Sequence, residues 1–204
     1  MKEIVAFILI KTHSRRLPNK NFMEIDGKPL WLHTAQMAVA SPEIKHTVLV
    51  TDKHTVLIPP NYSLDTDKVT VIQRPKRLME NGTTSEAVLL WAVREYEWNN
   101  TLTDILLLQA SCPTIDNARL NDVLLWYPRC DVENFVSINP YTCEGDGQIY
   151  LISKDLLFEK ESLLTEKLFV NDPAKMTMNN YVNIDIDYLS DYMIAKAILE
   201  GRTI

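Results

Sequence analysis

Cysteine is scarce in this chain, and its few thiols fall at no useful spacing. Only Cys112, Cys130 and Cys143 occur in 204 residues. Their odd number argues against a disulfide framework, and their separations match no metal-ligand pattern, so reduced thiols in a cytoplasmic setting are expected. Long apolar runs are also missing: no stretch approaches the ~20 residues that a helix needs to cross a bilayer. Nor is there an excess of positive charge. The net charge is -6, which argues against general nucleic-acid binding, because that needs a basic face to displace counterions. An anionic small molecule held in a locally basic cleft stays compatible with it. The chain has no Walker loop, nucleophile elbow or zinc motif, and its histidines (His13, His33, His46, His54) share no ligand spacing.

What is present is an alternation of strand and helix patterns without repeats. The first ten residues have the outline of a short signal peptide, but Glu3 interrupts the charged part and no small-residue cleavage site follows. They read instead as a first strand over 3–10. Helices are expected at 30–40, 83–97, 116–127 and 188–200, the second capped by Thr83 or Thr84 and the last stopped by Gly201. Further strands are expected at 46–51, 69–73, 104–108, 135–138, 148–152 and 181–187, with an irregular stretch over 52–68 around Pro59-Pro60. Asp26-Gly27 marks a tight turn. The length suits one domain over 1–204, and the alternation predicts an α/β fold with a mostly parallel, Rossmann-like sheet between two helical layers. In such sheets ligands bind beyond the carboxyl ends of the strands.

Three polar segments fall at those ends. The first is Lys11-Thr-His-Ser-Arg-Arg-Leu-Pro-Asn-Lys-Asn21, directly after strand one. Arg15 or Arg16 can fork onto phosphate oxygens, Lys20 can act as a point charge, and Ser14 can donate a hydroxyl hydrogen bond. Phosphate loops usually carry glycines so that backbone amides can approach, and this one has none, so side chains must do most of the binding. The alternative is a solvated basic turn. The second segment is Gln109-Ala-Ser111, suited to a nucleotide or to ordinary turn chemistry, with Arg74 offering a cation at the end of strand three. The third is Asn183-Ile-Asp185-Ile-Asp187. Residues two apart on a strand face the same way, so Asp185 and Asp187 project together with Ile184 and Ile186 opposite. Like charges so close need a cation between them, and Mg²⁺ shared with substrate phosphates would serve; solvated acids at a helix start are the alternative. Asp191, one turn further, is a candidate support for such a metal.

These pieces resemble the acylneuraminate cytidylyltransferase family, of the nucleotide-diphospho-sugar transferase type. Ile10 to Asn21 fits that family's A-R-G-G-S-K-R-L-P-x-K-N without a gap, and Gly27-Lys-Pro-Leu30 matches the G-K-P-L that follows. Val50-Thr-Asp52, Arg74-Pro75 with Leu78, Leu108 to Pro113, Gly147 to Tyr150 and Ile184 to Asp187 resemble its later motifs in order. The resemblance implies a cytidylyltransferase that moves CMP from CTP to a 2-keto sugar acid of the nonulosonate type and releases pyrophosphate. Lys11, Ser14, Arg15, Lys20 and Asn21 would line the CTP site, with Arg74, Gln109 and Ser111 holding the nucleotide. Arg15, Lys20, Asp185 and Asp187 would carry the chemistry, and Asp185 and Asp187 would bind Mg²⁺. It also implies a homodimer in which residues 155–180 reach the partner. The departures are Lys11 for an arginine, Thr12-His13 for Gly-Gly, Ile115 for an arginine and Asn81 for an acid. They leave open a different acceptor or base, or a nucleotide-binding protein whose activity has lapsed.

Overall fold

Seven consecutive buried residues, Ile4–Ile10, form strand β1 at the centre of the molecule. A strand apolar on both faces belongs in a sheet covered on both sides. The computed structural model describes residues 3–52, 64–80, 82–97, 104–115, 117–130, 132–138, 145–159, 174–177 and 184–201. After β1 come a short hairpin, β2 (Glu24–Ile25) and β3 (Lys28–Pro29), then α1 (Leu30–Ala40), β4 (Ile44–Thr51) and β5 (Val69–Gln73). These are followed by α2 (Ser85–Glu97), β6 (Asp104–Gln109), α3 (Asn117–Trp126), β7 (Asn134–Ile138), β8 (Gly145–Ser153), α4 (Lys154–Glu159), β9 (Ala174–Thr177) and α5 (Leu189–Leu199).

The main sheet runs β5-β4-β1-β6-β8-β7-β9, and only β8 opposes its neighbours. The expected α/β, mostly parallel, Rossmann-like architecture is therefore what forms. Alternate residues of β1 feed two separate cores, which gives the three layers. Ile4, Ala6, Ile8 and Ile10 pack with Trp31, Ala35 and Leu120 on the α1/α3 side. Val5, Phe7 and Leu9 pack with Leu89, Val93 and Leu157 on the α2/α4 side.

Local chemistry explains the boundaries. Asp26 and Gly27 both take positive φ (50° and 69°), as a two-residue hairpin turn requires. Thr84 caps α2, its hydroxyl accepting the Ala87 N–H at 3.2 Å. Gly201 (φ 66°) follows the last turn of α5.

The expected strand at 181–187 is a correction. Residues 184–187 join no strand ladder, and 181–183 lie outside the described residues. This segment crosses the loop after β6 instead, held by Ile186 N–H to the Ser111 carbonyl (3.0 Å) and Ile184 N–H to Thr114 Oγ1 (3.3 Å). The alternation survives without the ladder. Ile184 and Ile186 bury with Ile25, Leu30 and Ala195 in a third small core, which fixes the orientation of the two aspartates. Of the segment 155–180 expected to reach a partner, 160–173 and 178–180 lie outside the described residues; Leu156 and Leu157 of α4 are buried, and β9 pairs with β7. The strand over 145–153 is longer than expected, and α4 and β9 were not expected as elements. His54, Asn81, Cys143, Asn183 and the Pro59-Pro60 stretch lie outside the described residues.

Candidate active site

The carboxyl ends of β1, β5 and β6 open into a cleft of about 580 Å³. The ten residues to which the resemblance gives a nucleotide, metal or catalytic role all line it: Lys11, Ser14, Arg15, Lys20, Asn21, Arg74, Gln109, Ser111, Asp185 and Asp187. His13, Arg16, Thr83, Thr84 and Ser85 join them.

The basic loop closes on itself without glycine. Asn19 takes the left-handed conformation (φ 56°), which asparagine tolerates better than most residues, and Phe22 N–H returns to its carbonyl at 2.8 Å. Asn21 is buried and donates through Nδ2 to the Lys11 carbonyl at 3.0 Å, tying the end of the loop to its start. Its Oδ1 is buried without a partner among the described residues. Among the described residues, neither Lys11 nor Arg15 has an ion-pair partner, so both charges remain free for a ligand.

Thr12, one of the two residues standing where the family pattern has glycine, does not enter the cleft. It is buried, and its N–H lies 3.1 and 3.0 Å from the two oxygens of Asp52, while its hydroxyl donates to Asp52 Oδ2 at 2.8 Å. The bulk added at this position therefore points away from where an anion would approach. Asp52 follows β4, and the parallel register that sets Ile10 beside Thr51 brings the two residues together.

Arg74 continues from β5, its N–H bonded to the Thr51 carbonyl at 2.8 Å. The side chain is buried, and among the described residues it has one long hydrogen bond, from Nη2 to the Val50 carbonyl (3.4 Å), and no partner for Nε. Burial pulls its guanidinium below the ordinary arginine value, and the charge of Asp52 opposes that shift. A buried cation left partly unpaired is costly, and such groups in a native protein call for an explanation.

The two aspartates do sit together at the cleft, and Lys20 is their counterion. Lys20 Nζ is 2.9 Å from Asp187 Oδ1 and 3.9 Å from Asp185 Oδ1, and donates to the Ile186 carbonyl between them at 2.6 Å. Arg16 adds a contact of 2.6 Å to Asp187 Oδ2 from the rim. Ser111 Oγ donates to Asp185 Oδ1 at 2.7 Å, so this hydroxyl orients an aspartate rather than standing free. Asp191 lies behind the pair and bonds to the backbone of Asp187. Its Oδ2 accepts the N–H groups of Asp187 (2.9 Å) and Tyr188 (2.7 Å), which closes a capping box at the start of α5, where Tyr188 is the N-cap. Desolvation pushes against its ionisation, but those two bonds, the Ser190 hydroxyl and Lys20 outweigh it and hold its carboxyl below the usual range.

Among the described residues no group of three or more histidine, cysteine or acidic side chains could cage a metal. The donor set still fits Mg²⁺, which is commonly held by one or two carboxylates with substrate phosphates and water completing its shell. Asp185 and Asp187 are the carboxylates that could take that part. Ile115, standing where the family pattern has an arginine, is buried in the α1/α3 core and brings no charge.

Comparison with known proteins agrees with this fold. Residues 5–61 match the family model described as "Cytidylyltransferase". The N-acylneuraminate cytidylyltransferase of Streptococcus agalactiae serotype V is 25% identical over 140 residues, which cover 66% of this chain and 32% of that protein. The corresponding protein of serotype III matches to the same extent. The chain thus spans about a third of the length of the curated relatives it matches. Among solved structures, a CMP:2-keto-3-deoxy-manno-octonic acid synthetase complexed with CTP superposes with a TM-score of 0.72 at 14% identity, covering 98% of this chain and 99% of that one. A cytidylyltransferase from Leptospira borgpetersenii gives 0.69 at 15%, covering 100% and 89%. A Mycobacterium tuberculosis H37Rv protein in complex with manganese gives 0.62 at 15%, covering 95% and 97%. At these identities the structural likeness is one of fold. The resemblance read from the sequence is borne out at the level of family model, weak homology and fold.

Proposed function

We propose that this cytidylyltransferase-like chain transfers CMP from CTP to a 2-keto sugar acid and releases pyrophosphate. One observation carries the reading. A single cleft combines buried, unpartnered polar atoms (Arg74 Nε and Asn21 Oδ1), free cations (Lys11 and Arg15) and a carboxylate pair (Asp185 and Asp187). Donor, acceptor, positive rim and paired acids together suit a nucleotide triphosphate with a divalent ion better than any uncharged ligand.

In this reading Lys11, Ser14 and Arg15 bind the triphosphate, and Asn21, Arg74 and Gln109 orient the nucleoside. The acceptor's anomeric hydroxyl attacks the α-phosphorus and gives up its proton to solvent, a new P–O bond forms, and the bond from the α-phosphorus to the bridging oxygen breaks as pyrophosphate leaves. The chain's part is to align these groups and to balance developing negative charge, with Arg15 and Lys20 nearest that task. Asp185 and Asp187 would hold Mg²⁺, which supplies Lewis-acid charge neutralisation when bound. Ser111 and Asp191 keep those carboxylates oriented through Asp185 Oδ1 and the Asp187 N–H. The resemblance carries a homodimer with it, and sedimentation of the purified protein tests that expectation.

The test is pyrophosphate release from CTP with Mg²⁺ and a panel of 2-keto sugar acids. Release should require all three components and stop with a chelator. Tight CTP binding with no turnover on any acceptor would instead favour the second reading, a nucleotide-binding protein with lapsed chemistry. Ile115 motivates that reading, since a buried apolar side chain replaces a cation there. Turnover with a different base or acceptor would revise the substrate while keeping the reaction class.

A further inference from the structure

We propose that His13 is a phosphate ligand whose ring is held in position by a hydrogen-bonded chain through Thr12 to Asp52. This rests on the reading of the cleft as a nucleotide site.

The protons can be assigned by counting them. Thr12 Oγ1 lies 2.8 Å from Asp52 Oδ2 and 2.9 Å from His13 Nδ1. An ionised carboxylate only accepts, and a hydroxyl has a single hydrogen. The Thr12 hydrogen therefore goes to Asp52, and Thr12 Oγ1 must accept from His13 Nδ1–H. This fixes the tautomer: Nδ1 carries a hydrogen, and Nε2 is the ring nitrogen left for a ligand. The exposed His13 side chain lines the cleft beside Lys11, Ser14 and Arg15. With a second proton on the ring, Nε2–H would be a donor for an anionic oxygen.

The far end of the chain is rigid. Asp52 accepts the Thr12 hydroxyl and the Thr12 N–H, which spans both of its oxygens. Thr12 is buried, and β1 and β4, which precede these residues, are paired in parallel register up to Ile10 and Thr51. The ring thus takes its orientation from the core of the sheet, in the manner of a metal-binding histidine fixed by a carboxylate behind it. The residues that replace Gly-Gly would then exchange backbone amides for one oriented side-chain donor. Thr12 and Asp52 act as positioning residues and His13 as the contact.

Isothermal titration with CTP in Mg²⁺ tests this. His13→Ala should weaken binding roughly tenfold or more, the loss of a charge-assisted hydrogen bond, while His13→Lys, which keeps a donor cation, should stay within a few-fold of the parent. Thr12→Val should weaken binding in the same direction and Thr12→Ser should restore it. Thr12→Val should add little on top of His13→Ala, because both remove one coupled unit. Thermal unfolding checks each variant, and the exposed position of His13 keeps the test usable if Thr12→Val fails to fold. Parent-like CTP affinity in His13→Ala overturns the proposal and leaves the nucleotide reading standing. Absence of CTP binding by the parent protein overturns both.

Discussion

The ammonium of Lys20 stands 2.9 Å from the carboxylate of Asp187, so a residue of the basic loop neutralises the acidic pair on the far side of the cleft. Both side chains are mostly buried, at 13% and 19% exposure, which puts the contact beyond the weak regime of surface ion pairs. Lys20→Met should therefore lower stability by about 1.5–3 kcal/mol, the scale of a lost charged hydrogen bond. With no ammonium between Asp185 and Asp187, Mg²⁺ should raise the melting temperature of the variant more than that of the parent. Equal metal effects on both proteins would mean that the ion binds elsewhere.

Arg74 should behave in the opposite way. Its Nε is buried and unpartnered, so the free protein carries a desolvation cost there. Arg74→Met should leave stability unchanged or slightly raised in denaturant titrations, yet weaken CTP binding by about 1–3 kcal/mol. A large loss of stability would identify Arg74 as a structural residue.

Asp185 and Asp187 differ in their supports, and the variants should differ too. Ser111→Ala removes one donor to Asp185 Oδ1 but leaves the Ser111 carbonyl bonded to Ile186 N–H. A few-fold loss of Mg²⁺ affinity, corresponding to about 1 kcal/mol, is expected with the fold intact. Asp185→Asn with Asp187→Asn should abolish metal-dependent pyrophosphate release. Full activity in that double variant would remove the metal assignment.

Two histidines away from the cleft set the acid side of the stability profile. Burial holds both His33 and His46 below the ordinary value of 6.5; for His33 the charge of Lys28 adds to it, while the Ile25 carbonyl, bonded at 2.9 Å, opposes it. The unfolded imidazoles then take up protons first as the pH falls below 6.5. Stability should be lost progressively from there down to the folded values, and be insensitive to these groups above that range. In urea titrations from about pH 7.5 to about 5.5, the double variant His33→Gln, His46→Gln should show a flatter profile than the parent.

Much of the fold was legible from short-range patterns. The 30–40 helix matches Leu30–Ala40, and the apolar runs at the start and centre are β1 and β6, as buried parallel strands should read. Period-two alternation at 184–187 correctly separated buried isoleucines from cleft-facing acids. It could not tell a strand from an extended segment anchored by single hydrogen bonds, because pairing depends on a distant partner. The site residues were legible by type and by position at strand ends, and they converge on one cleft. Their mutual contacts were not. Nothing local says that Thr12 meets Asp52, forty residues on, or that Lys20 enters between Asp185 and Asp187. The sequence pattern suggests Asp191 only as a support for the acidic pair; its additional capping-box bond to Tyr188 depends on backbone geometry that spacing alone does not reveal. Thr83 and Thr84 are expected from the sequence only as helix caps, and Ser85 carries no expectation, yet all three hydroxyl residues line the cleft.

The central claim is that this cleft is a CTP site, and parallel calorimetric titration with CTP, UTP, ATP and GTP in Mg²⁺ tests it most directly. Saturable binding with CTP preferred, weakened by Arg74→Met, is the predicted result. No saturable binding of any nucleotide at millimolar concentration, or a clear preference for a purine, would contradict it.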